Sequence, residues 1–328
     1  MTFPDLVDRV RVRTDRALCA PDWCIRVVDS SDVLAVVVAY NPDPSIARLC
    51  RTLIADGCNV LIVDNASTTG LDAVGACEAA GADVLRMTEN VGVSGALVAA
   101  HARAHGVRWL LTFDQDSVVD AGFVGALRSS PATREDLVAM VGPRVVDEHG
   151  GAPLQGDGAH SASYHVPLII TSGALCRVSA LDDVDGFRSD LFIDHVDHDV
   201  CLRLRRRGWL IAIEPAVRMR HSIGAMRTHR VAGTFGIRNS HHSAERQYYR
   251  YRNYVLLVMD GTARTDRRWA LRTGLALGWG PLKILAFEDD KRAKLRASAA
   301  GVRDGLRGRS GRRGDRPLNN SAPSPHVD

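Results

Sequence analysis

Two aspartates separated by one residue, Asp114 and Asp116, close the apolar run Leu110-Leu111-Thr112-Phe113. Aspartate is a poor strand former, so the pattern predicts a buried strand with two carboxylates just past its C-terminal end. Ligands bind at that edge of open α/β sheets. Two carboxylates there suit a hard divalent cation, which in turn neutralises a diphosphate; a lone Asp-x-Asp also fits a solvated strand-to-loop transition. A second cluster, Phe192-Ile-Asp-His-Val-Asp-His-Asp199, sets three acids and two imidazoles at the start of a helical stretch, where the dipole favours negative charge. An acidic first turn opposed by a basic last turn accounts for Asp199 and Arg203. It accounts less well for Asp194 and Asp197, which stand among Phe192, Ile193 and Val196, and a half-buried carboxylate there suits a general base. His221 reads as a third metal ligand, a phosphate contact or a satisfied core histidine. Asp64, followed by Asn65, either accepts the imide N–H of uracil or thymine, or the acidic ring N–H of guanine, or caps the next helix as an Asp-Asn turn. Asn90-x-Gly92-x-x-Gly95 is either a loop that approaches a phosphate before a helix or a plain tight turn.

These residues need a scaffold that gathers strand ends. Val33 to Ala39 is a continuous β-branched run, the pattern of a strand buried on both faces. Helix is predicted near Ile46 to Asp56, strand at Asn59 to Val63, helix at Leu71 to Ala80, strand around Asp83 to Met87, helix from the Gly92 turn to about His105, and strand at Trp109 to Phe113. Strands alternating with helices predict a doubly wound, mostly parallel sheet. Further on, strands are predicted at Val138 to Gly142, Leu168 to Leu175 and Trp209 to Ile213, a glycine-rich loop at Asp147 to Gly158, and a helix at Phe192 to Arg207. No internal repeat is present.

Composition is that of an ordinary globular chain: 328 residues, 45% hydrophobic, 24% charged, formal net charge +4. The seven cysteines form no Cys-x-x-Cys pair, which argues against a zinc site or disulfide framework and points to a reducing cytosol. Residues 1–32 carry charges throughout and lack the apolar core of a signal peptide. Thr273 to Phe287 is short and interrupted by Lys283, so it does not read as a span.

The ordered segments Val36-Val-Val-Ala-Tyr-Asn-Pro42, Val63-Asp-Asn-Ala-Ser67, Glu89-Asn-Val-Gly-Val-Ser94, Thr112-Phe-Asp-Gln-Asp-Ser117, Thr171-Ser-Gly173, Phe192-Ile-Asp-His-Val-Asp197, His221-Ser222 and Tyr248-Tyr-Arg-Tyr-Arg-Asn253 resemble the family 2 glycosyltransferases of GT-A fold, bacterial rhamnosyltransferase branch. The resemblance implies a GT-A catalytic domain over 33–259, with a nucleotide-binding half at 33–120 and an acceptor half at 121–259. It implies donor contacts at Tyr40, Asn41, Asp64, Asn65, Asn90, Gly92 and Asp114, and Mg²⁺ or Mn²⁺ at Asp116 and His221. It also implies Asp197 as the base of an inverting transfer, with acceptor or sugar contacts at Ser172, Gly173, Asp194, His195 and Asp199. The implied partners are a nucleoside-diphosphate sugar, with dTDP-rhamnose as first choice, and a glycan or polyprenyl-linked acceptor in cell-surface polysaccharide synthesis. Two positions depart from the pattern: Val98 stands where the family carries asparagine, and Asp199 where it carries glutamate.

Two other readings fit part of the chain. Leu110 to Val119 also suits a haloacid-dehalogenase-type phosphatase motif, although that family places it on the first strand. A degenerate transferase that binds nucleotide sugar without turnover is the non-enzymatic reading. Residues 260–316 are strongly basic and read as a helical segment lying on an anionic membrane surface, with Leu295, Val302 and Leu306 as its apolar side. The arginines lack interleaved aromatics, which argues against nucleic acid. The expected location is the cytoplasm, at the inner face of the cell membrane, with a disordered tail at 317–328.

Overall fold

The computed structural model describes residues 32–147, 153–156, 159–221, 226–231, 235–240 and 242–314, with backbone alone for 226–231 and 235–240. The predicted N-terminal extension (Asp32 apart), the predicted tail, Ser222 and part of the glycine-rich loop lie outside the described residues.

Every residue of β1 (Val33–Ala39) is buried because the strand serves two cores. Val33, Ala35 and Val37 pack with Ile46, Leu49 and Leu53 of α1 (Ile46–Ala55) and with Val74 and Cys77 of α2 (Leu71–Ala79). Leu34, Val36 and Val38 pack on the opposite face with Ala96, Leu97 and Ala100 of α3 (Gly92–His101). With helices over both faces neither side of the strand can be polar, which is why the run shows no alternation. Each fully buried valine or leucine contributes roughly 1.5–3 kcal/mol relative to exposure.

β2 (Asn59–Asp64), β3 (Asp83–Arg86) and β4 (Trp109–Asp114) complete the parallel order β3-β2-β1-β4. Ala39 pairs with Asp64 on one side of β1, and Val38 with Asp114 on the other. Both carboxylates therefore leave the sheet at one edge.

The second half contains β5 (Val118–Val119), α4 (Phe123–Arg128), β6 (Val138–Asp147), β7 (Pro153–Gln155), β8 (Tyr164–His165), β9 (Ala174–Arg177), α5 (Val178–Asp183), α6 (Val196–Arg206) and β10 (Leu210–His221). The sheet continues β4-β9-β6-β10-β5, with β9 antiparallel to both neighbours and β10 parallel to β6. Three predicted elements differ here. Of the strand read as Leu168 to Leu175 with a break at Ser172-Gly173, only the part from Ala174 is strand; the chain turns at Gly173, φ 75°, where a side chain would run into Met219 and Pro143. The helix read from Phe192 begins at Val196, because Phe192, Asp194 and His195 all have positive φ. The strand read as ending at Ile213 runs on to His221. Past Pro215 its buried Val217 and Met219 alternate with exposed Arg218 and Arg220, the period of a half-buried strand.

An antiparallel pair, β11 (Met226–Val231) and β12 (Phe235–Ser240), precedes three helices: α7 (Ala244–Met259), α8 (Arg267–Phe287) and α9 (Lys291–Leu306). α9 packs along α7 so closely that a Cβ on Gly301 would strike the Tyr248 carbonyl. Of the apolar side read for this helix, Leu295 and Val302 are half-buried and only Leu306 is exposed. Among the described residues no helix is long and apolar enough to cross a membrane.

Candidate active site

The two-residue ladder of β5 against β10 assembles the acidic centre. Met219 pairs with Val119 and Arg220 with Val118, so the end of β10 lies beside the turn that carries Asp116. His221 Nδ1 is 3.4 Å from Asp116 Oδ1, and its Nε2 is 3.8 Å from Asp114 Oδ2. One ligand atom from each of the three residues lies within 4.8 Å of the others. Atoms about 2.1 Å from a common cation are at most about 4.2 Å apart, so small side-chain adjustments close the set. His221 Nδ1 is also buried without a hydrogen-bond partner, a state that a metal relieves. Burial pushes the Asp114 carboxyl up; His221 opposes the shift, while the charges of Asp116 and Asp197 add to it. A divalent cation discharges that crowding, and the donor set of two carboxylates and an imidazole fits Mg²⁺ or Mn²⁺.

Ser172 and Gly173, read as acceptor or sugar contacts, are hydrogen-bonded to this centre. Ser172 is buried; its Oγ accepts from the Asp114 amide at 3.1 Å and lies 2.6 Å from Ser117 Oγ. The Gly173 amide donates to the Thr112 carbonyl at 2.7 Å. Both are occupied in holding the Asp114–Ser117 turn.

The predicted donor residues meet at the neighbouring strand ends, joined by side-chain hydrogen bonds. Asn41 Oδ1 accepts from the amides of Thr68 and Thr69 at 2.8 and 3.1 Å, tying the end of β1 to the loop after β2. Asp64 Oδ1 accepts from the Ser67 amide at 3.0 Å, the Asp-Asn turn chemistry foreseen for it. Asn65 Nδ2 donates to Asn90 Oδ1 at 3.1 Å, and the Val91 amide donates to Asn65 Oδ1 at 2.9 Å. The Tyr40 amide donates to Gln115 Oε1 at 2.7 Å, and the Tyr40 ring is exposed at the edge. The Gly92 turn is packed against the Phe192 loop. Its amides are taken by Asn90 and, at Ser94, by the Phe192 carbonyl. A Cβ on Gly92 would overlap that carbonyl. Val98 packs against the core beneath.

Across this contact lies the second cluster. Asp197 sits in the first turn of α6, where its Oδ1 accepts from the His198 amide at 2.8 Å. Asp194 is ion-paired with Arg246 at 2.8 Å. Burial, with His198 beside it, pushes the His195 imidazole well down, so it is neutral near pH 7. Asp199 stands apart: it is 1% exposed and clamped by Arg203 at 2.7 Å and Arg188 at 3.4 Å. Its ion pairs tie the helix to Arg188.

Three residues that the sequence reading gave no role hold this cluster in place. Asn253 Nδ2 donates to the carbonyls of Leu191, Ile193 and Asp194 at 2.9, 2.7 and 2.8 Å. Arg252 Nη2 donates to those of Asp190 and Leu191. Arg246 is the cation of the acidic centre: burial opposes its charge, but Asp194, Asp114 and Asp197 favour it more strongly. The signal was present in Tyr248 to Asn253, a stretch of polar residues inside a helix that turns out to be buried.

Residues 34–184 match the family described as Glycosyl transferase family 2. Over that stretch the chain is similar to the family 2 glycosyltransferases. It is 28% identical over 244 residues to the dTDP-rhamnosyl transferase RfbF of Shigella flexneri, which covers 70% of this chain and 80% of that one. Its fold resembles that of S. aureus TarS, with TM-score 0.55 and 13% identity over 84% of this chain and 80% of that one. It also resembles GalNAc-T7 solved with UDP, GalNAc and Mn²⁺, with TM-score 0.52 and 14% identity over 84% of this chain and 56% of that one. The chain therefore has the GT-A fold. The phosphatase reading falls, because Asp114 and Asp116 lie inside the matched family 2 residues.

Proposed function

We propose that the transferase moves rhamnose from dTDP-rhamnose to a hydroxyl of a glycan or polyprenyl-linked acceptor, with inversion, in cell-surface polysaccharide synthesis. The observation that carries this reading is the convergence of Asp114, Asp116 and His221 within 4.8 Å at the sheet edge, close enough to Asp197 for that carboxylate to be felt at Asp114. The likeness to a dTDP-rhamnosyl transferase supports the donor. Asp116 and His221, with Asp114, would hold Mg²⁺ or Mn²⁺, which when bound stabilises charge on a departing diphosphate. Asp64, Asn65 and Tyr40 border the base and ribose. Asp197 takes the proton from the acceptor hydroxyl as that oxygen attacks the anomeric carbon on the side opposite the leaving group. The C1–O bond to the diphosphate breaks as the new glycosidic bond forms, and no sugar–enzyme intermediate arises. Arg246 keeps Asp194 from drifting toward Asp197.

Calorimetry of dTDP, UDP and GDP with and without Mn²⁺ tests the donor site. Metal-dependent dTDP binding, followed by rhamnosyl transfer with inverted anomeric configuration in the product NMR spectrum, is the expected result. UDP preferred over dTDP, or retained configuration, would overturn the donor or the mechanism respectively.

A further inference from the structure

α8 is amphipathic, and the surroundings of its apolar residues divide it into two faces. Trp269, Leu277 and Ile284 are buried against the protein. Leu271, Leu275, Trp279, Leu282 and Leu285 are 64, 57, 61, 55 and 50% exposed. At 3.6 residues per turn the two sets lie on roughly opposite sides of the helix cylinder. Five large apolar side chains in one continuous stripe exceed the scattered exposure of an ordinary surface. The same helix carries Arg267, Arg268, Arg272 and Lys283, all exposed, and no acidic residue. The nearby acids lie beyond its ends: Asp266 pairs with Arg205 at 2.9 Å, Glu288 with Lys294 at 2.8 Å, and Asp289 and Asp290 follow the last turn.

We propose that α8 is a docking element whose occupant is an anionic lipid bilayer. The leucine–tryptophan stripe enters the boundary between headgroups and acyl chains, and the four cations meet the anionic headgroups beside it. Charge complementarity selects this occupant over a second copy of the chain. Two such faces brought together would set arginines and lysine against one another, with no acid on either helix to meet them. Within the segment 260–316 expected to lie on a membrane surface, the apolar face is thus on α8 and not on Leu295, Val302 and Leu306 of α9, the first two of which are half-buried. Docking is also tied to the catalytic cluster. Trp269, on the inner face of α8, lies 5.2 Å from the His198 ring and 6.0 Å from the His195 ring, next to Asp197. A bilayer on the outer face of α8 therefore meets a helix whose inner face supports the residues around the base.

The test is co-sedimentation of the full chain with vesicles of phosphatidylcholine, with and without phosphatidylglycerol, in the absence of any donor. Its failure thus leaves the glycosyl-transfer reading untouched. Wild type is expected to sediment with the anionic vesicles, less with phosphatidylcholine alone, and less again at high salt. Leu275→Glu with Trp279→Glu should lower partitioning by about tenfold or more. The uncharged pair Leu275→Ser with Trp279→Ser should give an intermediate loss. Unchanged circular dichroism would confirm that each variant is folded. Three outcomes would overturn the proposal. One is wild type remaining in the supernatant with anionic vesicles, and another is undiminished binding by both double variants. The third is a lipid-free dimer in sedimentation equilibrium that the glutamate pair dissociates, which would assign the stripe to a second copy.

Discussion

Replacing Asn253 by alanine should cripple transfer while sparing nucleotide binding. The Asn253 side chain is fully buried and its amide serves three carbonyls, those of Leu191, Ile193 and Asp194. Only two hydrogens are available, each worth about 0.5–1.5 kcal/mol net, so their loss amounts to roughly 1–3 kcal/mol. The loop they hold resists its own geometry: Phe192, Asp194 and His195 have φ near 60°, and each non-glycine residue there is disfavoured by about 1–2 kcal/mol. Freed of Asn253, the loop relaxes and carries the start of α6, with Asp197, away from its working position. If the whole energy is felt there, kcat falls by about 5- to 150-fold, and the melting temperature falls by a few degrees, at about 2–4 °C per kcal/mol. Steady-state transfer kinetics, dTDP calorimetry and thermal unfolding read the three effects. Asn253→Asp, which keeps the size but removes the donor, should behave alike. A variant that loses stability yet keeps kcat within twofold would refute the positioning argument. So would nucleotide affinity falling as far as kcat, because Asp114 and Asp116 hang from a different strand.

Other expectations follow from the same geometry. Asp116→Asn should abolish the Mn²⁺-dependent part of dTDP affinity, and His221→Ala should weaken it in the same direction; calorimetry across a Mn²⁺ series reads both. Asp197→Asn should reduce transfer by about 10²- to 10⁴-fold and leave dTDP binding unchanged, measured by initial rates beside calorimetry. Acidification should destabilise the fold. Burial depresses the pKa of His101 below its ordinary 6.5, against the pull of Asp182, so the unfolded chain takes up a proton that the folded chain refuses. This contribution is intact above about pH 6.5 and is lost as pH falls, at up to about 1.4 kcal/mol per pH unit. Urea midpoints at pH 8, 6 and 5 should show the slope, and His101→Gln should flatten it.

The parallel half of the sheet was legible because β1 and β4 are buried on both faces and end in polar residues, a pattern read along one strand at a time. Asp114 and Asp116 were legible for the same reason. His221 was recognised without its strand, which was read as ending at Ile213; the alternation of Val217 and Met219 with Arg218 and Arg220 was there to be read. The start of α6 was not legible, since positive φ at Phe192, Asp194 and His195 is imposed by contacts some 60 residues away in sequence. Ser172 and Gly92 were recognised as belonging to the site, but the hydrogen bond that the Asp114 amide donates to the Ser172 hydroxyl and the close approach of the Phe192 carbonyl to Gly92 are visible only in the packed structure. α8 was rejected as a span and taken into the basic membrane-surface segment 260–316, whose apolar side was sought on Leu295, Val302 and Leu306; its own exposed face shows only once its buried side is known.

The contact between Gly92 and the Phe192 carbonyl bears on how such an enzyme can be re-engineered. A chimera that takes its donor half from one relative and its acceptor half from another must cut between residues 92 and 192, and so it separates the two partners of this contact. Any incoming donor half with a side chain at position 92 would wedge the acceptor loop open before a sugar is ever bound. On the proposed division of the chain, donor specificity is thus not a freely exchangeable module. It can be moved only together with glycine at 92 and a loop that lays its carbonyl against it, and parents for recombination should be chosen by that pair first.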